Sequence, residues 1–210
     1  TDINKEMIDQ VLESFTQVNF SETYFLASIA VTVGLPTWWN IVARQEYNTH
    51  FLTRLCGGPY RGCYFLAFLI FSCSLVRDYM FKEAITHQAR LDLLDCELVR
   101  YIAYGLFAVG AVFVLSSYLR LGITGTYLGD YFGILMKERV TGFPFNVMSN
   151  PMYNGATMMF LATALWECSP AGIILVGVVF VVYRIALIFE EDFTHHIYAS
   201  QAQKKKATAK

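Results

Sequence analysis

Glu190 and Glu191 stand side by side directly after an apolar run that ends at Phe189. Carboxylates at the C-terminal end of a helix face its negative dipole end, and two together repel each other. Such a pair is comfortable if the helix continues, if a cation binds there, or if both groups are solvated at an interface. A second feature is Asn150-Pro151-Met152-Tyr153-Asn154-Gly155. Proline disfavours the helical region for Asn150 and suits the first turn of a following helix. The backbone donors of that turn can hold a carboxylate, or the motif is a plain helix start. Asp130 lies in a polar, glycine-rich stretch from Arg120 to Gly155, and it reads as a proton acceptor, a helix cap or half of an ion pair with Lys137 or Arg139. Ala108-Val109-Gly110 taken alone is a small-residue packing site, and His195 and His196 read as surface residues.

Several familiar sites are missing from the sequence. It has no phosphate-binding loop ending in Gly-Lys-Ser/Thr, no His-Glu-x-x-His, no Gly-x-Ser-x-Gly and no dinucleotide fingerprint. The five cysteines include no Cys-x-x-Cys pair and several sit in apolar runs, so they read as small buried hydrophobes, and no metal is expected. A net charge of −1 over 210 residues excludes the electrostatic footprint of a nucleic-acid binder.

The elements that must position these groups are membrane helices. Hydrophobic residues make up 55% of the chain and charged residues 16%, against about 25% charged in an average soluble domain. No charge occurs from Tyr24 to Ala43, Gly62 to Val76, Tyr101 to Leu119, Val140 to Trp166 or Cys168 to Tyr183. A helix needs roughly 20 mostly apolar residues to cross about 30 Å of hydrocarbon. Snorkelling by Arg77 and Arg184 lengthens the two shorter runs at their ends. The expected fold is therefore an all-α integral membrane protein of four to five hydrophobic helices in a single domain, 1–210.

Pro36 makes the first segment either a kinked crossing or a re-entrant turn. Ser169-Pro170-Ala171-Gly172 joins the last two segments into a hairpin whose first arm is short for a crossing. Ile3, Met7, Val11, Phe15 and Val18 recur at helical spacing, so 1–20 reads as an amphipathic helix on the membrane surface or packed on the protein. No cleavable signal peptide is evident. The tail, 201–210, carries Lys204, Lys205, Lys206 and Lys210, and the positive-inside rule places it in the cytosol. Gly125, Gly129 and Gly133, spaced by four, read as a helix-packing stripe or as a backbone that approaches a ligand.

The run from Leu121 to Leu135, together with Val140 to Asn146, Asn150-Pro151-Met152-Tyr153-x-Gly155, Glu190-Glu191 and the upstream Trp39 to Arg44, resembles the phospholipid N-methyltransferase family. The similarity spans about Gly34 to Tyr198 and is greatest to the fungal-type branch, which methylates phosphatidyl-N-methylethanolamine and then its dimethyl product to phosphatidylcholine. The alternatives are a three-step phosphatidylethanolamine N-methyltransferase or an isoprenylcysteine carboxyl methyltransferase-like enzyme. The latter carries Arg-His-Pro where this chain has Ser149-Asn150-Pro151.

The resemblance implies S-adenosylmethionine as donor, a membrane phospholipid as acceptor and the endoplasmic reticulum membrane as location. It also implies donor contacts from Ala108, Val109, Gly110, Asn150, Pro151, Tyr153, Gly155, Glu190 and Glu191. Ala108 replaces the first glycine of the family's Gly-x-Gly. Trp39, Tyr131 and Arg139 are the expected acceptor contacts, the aromatic rings sheltering an ammonium head by cation–π attraction or, for tryptophan, anchoring the interface. Asp130 is the expected base. An alkyl ammonium has a pKa near 10.4, so presenting the free amine at pH 7 costs roughly 4–5 kcal/mol.

Overall fold

The computed structural model describes residue 9 and residues 11–138 and 140–208, with side chains not described at 202 and 204–208. Its helices are α1 (Thr23–Thr49), α2 (Phe51–Cys56), α3 (Pro59–Thr86), α4 (Glu97–Thr126), α5 (Pro151–Trp166) and α6 (Pro170–Thr208). Short 3-10 turns lie at Asp92–Leu94 and Gly129–Phe132. Among the described residues, α1, α3, α4 and α6 are long and apolar enough to cross a membrane. Their outer faces carry exposed Phe68, Leu75, Leu115, Leu119 and Ile188, the surface a bilayer rather than water accommodates. The chain is an all-α, multi-pass membrane protein. At 16 residues, α5 spans only about 24 Å, short of the hydrocarbon thickness.

Two apolar clusters set the direction of each helix. Phe25, Ile85, Ala164, Ala171 and Leu175 meet at one end of the bundle. Trp39, Ala43, Leu66, Tyr131 and Ile197 meet at the other. Helices α1, α4 and α6 therefore run the same way, with α3 and α5 opposed. The N-terminal stretch docks at the first end. Residues 11–16 are helical, Val18 is buried in the cluster, and Asn19 and Gln88 exchange two hydrogen bonds of 2.9 and 2.8 Å. The rest of the expected amphipathic helix, 1–8 and residue 10, lies outside the described residues.

Pro36 leaves α1 unbroken from Thr23 to Thr49, so the first segment is one continuous helix, long and apolar enough to cross, and not a re-entrant turn. Asn40 Nδ2 donates to the Pro36 carbonyl at 3.0 Å, supporting the turn that follows the proline. At its end, α1 reverses through His50 in the left-handed region. The fully buried Glu46 makes that reversal possible: it accepts from Leu52 N at 2.7 Å and from Thr53 N and Oγ1 at 3.2 and 2.5 Å, capping the first turn of α2. Nothing in the local sequence marked Glu46 as a cap.

The glycine stripe does not form. Gly122 has φ 63°, α4 ends at Thr126, Gly129 belongs to the 3-10 turn and Gly133 has φ 78°. These glycines let the chain fold back under the helix end instead. A Cβ on Gly129 would stand 2.6 Å from the Thr124 carbonyl oxygen.

The expected hairpin is present, as α5 and α6 joined at Ser169, whose Oγ accepts from Gly172 N at 3.1 Å. The tightest helix contact joins α4 and α5. A Cβ on Gly155 would meet the Gly110 oxygen at 2.7 Å, and one on Gly110 would meet the Gly155 oxygen at 2.6 Å. Two glycines facing each other allow this backbone approach.

Candidate functional site

Twenty residues of α6 separate Pro170 from Glu190, about 30 Å of helix, so the carboxylate pair reaches the far edge of the hydrocarbon layer. The helix runs on to Thr208, which removes the dipole penalty of a helix end. Neighbours on a helix point about 100° apart, and the pair divides accordingly. Glu190 turns inward. Its Oε1 accepts from Trp39 Nε1 at 2.8 Å and Asn40 Nδ2 at 3.2 Å, and its Oε2 accepts from the Tyr153 hydroxyl at 2.8 Å. Glu191 is exposed and accepts from Asn150 Nδ2 at 2.8 Å. Arg184 is exposed and pairs with neither carboxylate.

All three partners of Glu190 are neutral. The ion pairs among the described residues are Arg77–Asp78, Lys82–Glu167, His87–Glu83 and Arg100–Asp95, and none reaches Glu190. A carboxylate withdrawn from water without a cation is costly, and neutral donors offset only part of that cost. The arrangement orients a negative charge among neutral donors, which suits a cationic ligand.

One turn further along the same face of α6, Thr194 Oγ1 donates to Asp130 Oδ2 at 2.7 Å. Asp130 thus lies beyond Glu190, toward the membrane surface. Lys137 is not within ion-pair distance of it, and Arg139 lies outside the described residues. Tyr131 is fully buried with one ring face stacked on Phe193, centroids 5.0 Å apart. Asn40 Oδ1 is buried without a partner, and the Tyr131 hydroxyl and Arg44 Nε, which adjoin each other, are buried without a well-formed bond. Three under-bonded polar atoms in one region are unusual for a finished core and common where a ligand completes the bonding.

The other expected residues sort clearly. Tyr153 joins Glu190 directly, and its ring meets Tyr183 edge-on at 4.9 Å, with Arg77 donating to the Tyr183 hydroxyl. Pro151 starts α5 after Asn150, whose φ is 56° and whose side chain makes no cap bond. Gly110 and Gly155 face each other across the α4–α5 contact. Ala108 and Val109 lie on the exposed side of α4, and the structure does not bring them to the carboxylates. Trp39 is buried and donates its indole N–H to Glu190, a structural role beyond interfacial anchoring. His195 and His196 are exposed. Asn40 and Thr194 were not singled out in the sequence, although Asn40 lies inside the Trp39–Arg44 run.

Residues 99–201 match the family model described as phospholipid methyltransferase. The chain is 54% identical to phosphatidylethanolamine N-methyltransferase A of Dictyostelium discoideum, over 99% of this chain and 100% of that protein. It is 50% identical to the phosphatidyl-N-methylethanolamine N-methyltransferase of Saccharomyces cerevisiae, over 96% and 97%. To the human phosphatidylethanolamine N-methyltransferase it is 42% identical, over 85% and 89%. No solved structure matches the chain significantly.

Proposed function

The chain belongs to the phospholipid methyltransferase family, and from that premise we propose that it methylates phosphatidyl-N-methylethanolamine and its dimethyl product to phosphatidylcholine, with S-adenosylmethionine as donor. The observation that carries this reading is Glu190, a sequestered carboxylate with three neutral donors and no cationic partner.

The residues present fit the donor. Its sulfonium and α-ammonium groups are cationic, and Glu190 offers the charge they lack. Its carboxylate fits the first turn of α5, where Met152 and Tyr153 N–H groups have no side-chain cap because Asn150 is engaged by Glu191. When bound, S-adenosylmethionine supplies an electrophilic methyl group to a neutral lipid amine. Trp39, Asn40 and Tyr153 fix the Glu190 carboxylate in advance, so little ordering is left for the moment of binding. Asp130, held by Thr194, is the proposed acceptor of the proton that the lipid ammonium must lose. Tyr131 contributes through its under-bonded hydroxyl, since Phe193 covers one ring face.

The same reading places the site at the cytosolic surface of the endoplasmic reticulum membrane. Arg54, Arg61, Arg120 and Lys137 lie at the Glu190 end with the lysine tail, against Lys82, Arg90 and Arg100 at the other, and the positive-inside rule favours the richer end as cytosolic.

Acceptor preference tests the assignment. With lipid varied in mixed micelles, kcat/KM is expected to be highest for the monomethyl lipid, comparable for the dimethyl lipid and at least several-fold lower for the unmethylated one. Equal values on all three would assign the chain to the three-step type.

A further inference from the structure

Between α1 and α6 runs a groove of about 300 Å³, walled by Val33, Ile41, Val182 and Ile185, with Asn40 and Arg44 toward the Glu190 end. Its walls are apolar and open toward the lipid side of the bundle, while its polar end is incomplete. Asn40 Nδ2 lies between two acceptors, the Pro36 carbonyl at 3.0 Å and Glu190 Oε1 at 3.2 Å. That fixes the amide orientation and leaves Oδ1 as the buried atom without a partner. Arg44 donates one bond, 3.0 Å, to the Phe189 carbonyl. Its Nε is buried without a well-formed bond, and no carboxylate among the described residues is within ion-pair distance of it. A guanidinium at the mouth of an apolar groove is complementary to an amphiphile with an anionic head.

The spacing narrows the occupant. Asn40 and Arg44 are four residues apart on α1, so they share a face about one turn, ~5.4 Å, apart. An ethanolamine arm, two carbons between a phosphodiester and an amine, covers about that distance. Resting on the phospholipid methyltransferase reading, we infer that this groove is the acceptor's binding site: Arg44 engages the lipid phosphate nearer the membrane surface, the ethanolamine arm folds back one turn so that Asn40 Oδ1 accepts an N–H from the amine, and the apolar walls hold an acyl chain beside it. The Asn40 amide then touches the acceptor on one side and Glu190 on the other. The geometry also sorts substrate from product, because monomethyl and dimethyl ammonium heads retain an N–H for Asn40 and a trimethylammonium head has none.

The test is photolabelling of the full-length protein in nanodiscs with phosphatidyl-N-methylethanolamine that carries a diazirine in one acyl chain. Label is expected to concentrate on residues 33–44 and 182–189. Excess unlabelled monomethyl lipid is expected to displace it about 10-fold better than phosphatidylcholine or phosphatidylglycerol. Arg44→Ala is expected to weaken displacement by all three phospholipids alike and raise the acceptor KM about 10-fold with unchanged donor affinity, and Arg44→Lys to restore part of both. Ile41→Trp fills the groove from an exposed position and is expected to lower labelling without unfolding the protein. Label spread evenly over α3, α4 and α6 would overturn the inference, as would equal displacement by phosphatidylglycerol or labelling blocked by self-association of the protein. A groove that labels as expected in a protein that fails to bind S-adenosylmethionine would leave the groove standing and overturn the methyltransferase reading alone.

Discussion

Glu190→Gln is expected to weaken S-adenosylmethionine binding by about 10- to 150-fold, the equivalent of one lost charge-assisted hydrogen bond. The substitution keeps the shape and removes the charge. It also introduces an amide N–H where the wild-type carboxylate meets only donors: Trp39 Nε1, Asn40 Nδ2 and Tyr153 Oη. Two of these have no acceptor capacity at the bonding atom. Tyr153 can turn its hydroxyl to accept, so the amide has one orientation that preserves all the contacts. The fold should therefore survive while the site loses its negative charge. Glu191→Gln serves as the contrast. That side chain is exposed and holds only Asn150, so its substitution is expected to change donor affinity by no more than about 5-fold, in line with the small worth of exposed charge interactions. Calorimetric titration of donor into each folded variant measures both. Equal losses from the two substitutions, or none from either, would contradict the division of roles.

Asp130→Asn is expected to lower kcat by about 10²- to 10⁴-fold, the usual contribution of a positioned proton acceptor, with donor affinity within a few-fold of wild type. Asparagine retains an oxygen for the Thr194 hydroxyl, so the 3-10 turn at Gly129–Phe132 keeps its anchor to α6. A structural role alone predicts little loss of rate from this substitution. The pH profile separates the two further. Without an internal base, the rate follows the free fraction of lipid amine, which rises about tenfold per pH unit below the amine pKa. The variant is therefore expected to recover steeply between pH 7 and 9 while wild type rises less. Parallel profiles with a common loss factor would assign Asp130 to positioning the turn.

Much of the architecture is legible in the sequence because a bilayer demands long charge-free runs. The gaps from Tyr24, Gly62 and Tyr101 each fall within a long helix, the gap from Cys168 begins two residues before α6 and continues into it, and Ser169-Pro170 marks the hairpin. Pro36 leaves two readings open in the sequence, because a proline can either kink a helix that continues or end it, and only the folded chain shows one helix from Thr23 to Thr49. The four-residue spacing of Gly125, Gly129 and Gly133 suggested a helical face, and spacing cannot reveal that Gly122 and Gly133 adopt positive φ.

The carboxylate pair was visible as chemistry, but its wiring was not. Trp39 lies 151 residues from Glu190 in sequence, and Tyr153 lies 37 residues from it, so only the folded bundle brings them together. The same holds for Glu46, whose capping bonds exist only because the chain reverses at His50. Ala108-Val109-Gly110 shows the opposite case: a motif recognised by resemblance whose first two residues face outward on α4 and whose glycine packs on Gly155.

One measurement addresses the central claim directly. Purified protein is incubated with S-adenosylmethionine labelled in its methyl group and with phosphatidyl-N-methylethanolamine, and the lipid products are separated and counted. The account predicts label in the dimethyl lipid and then in phosphatidylcholine, with Glu190→Gln giving the same products at far lower yield when donor is subsaturating. Label that never reaches a lipid amine, or that reaches it equally in wild type and Glu190→Gln at limiting donor, would contradict it.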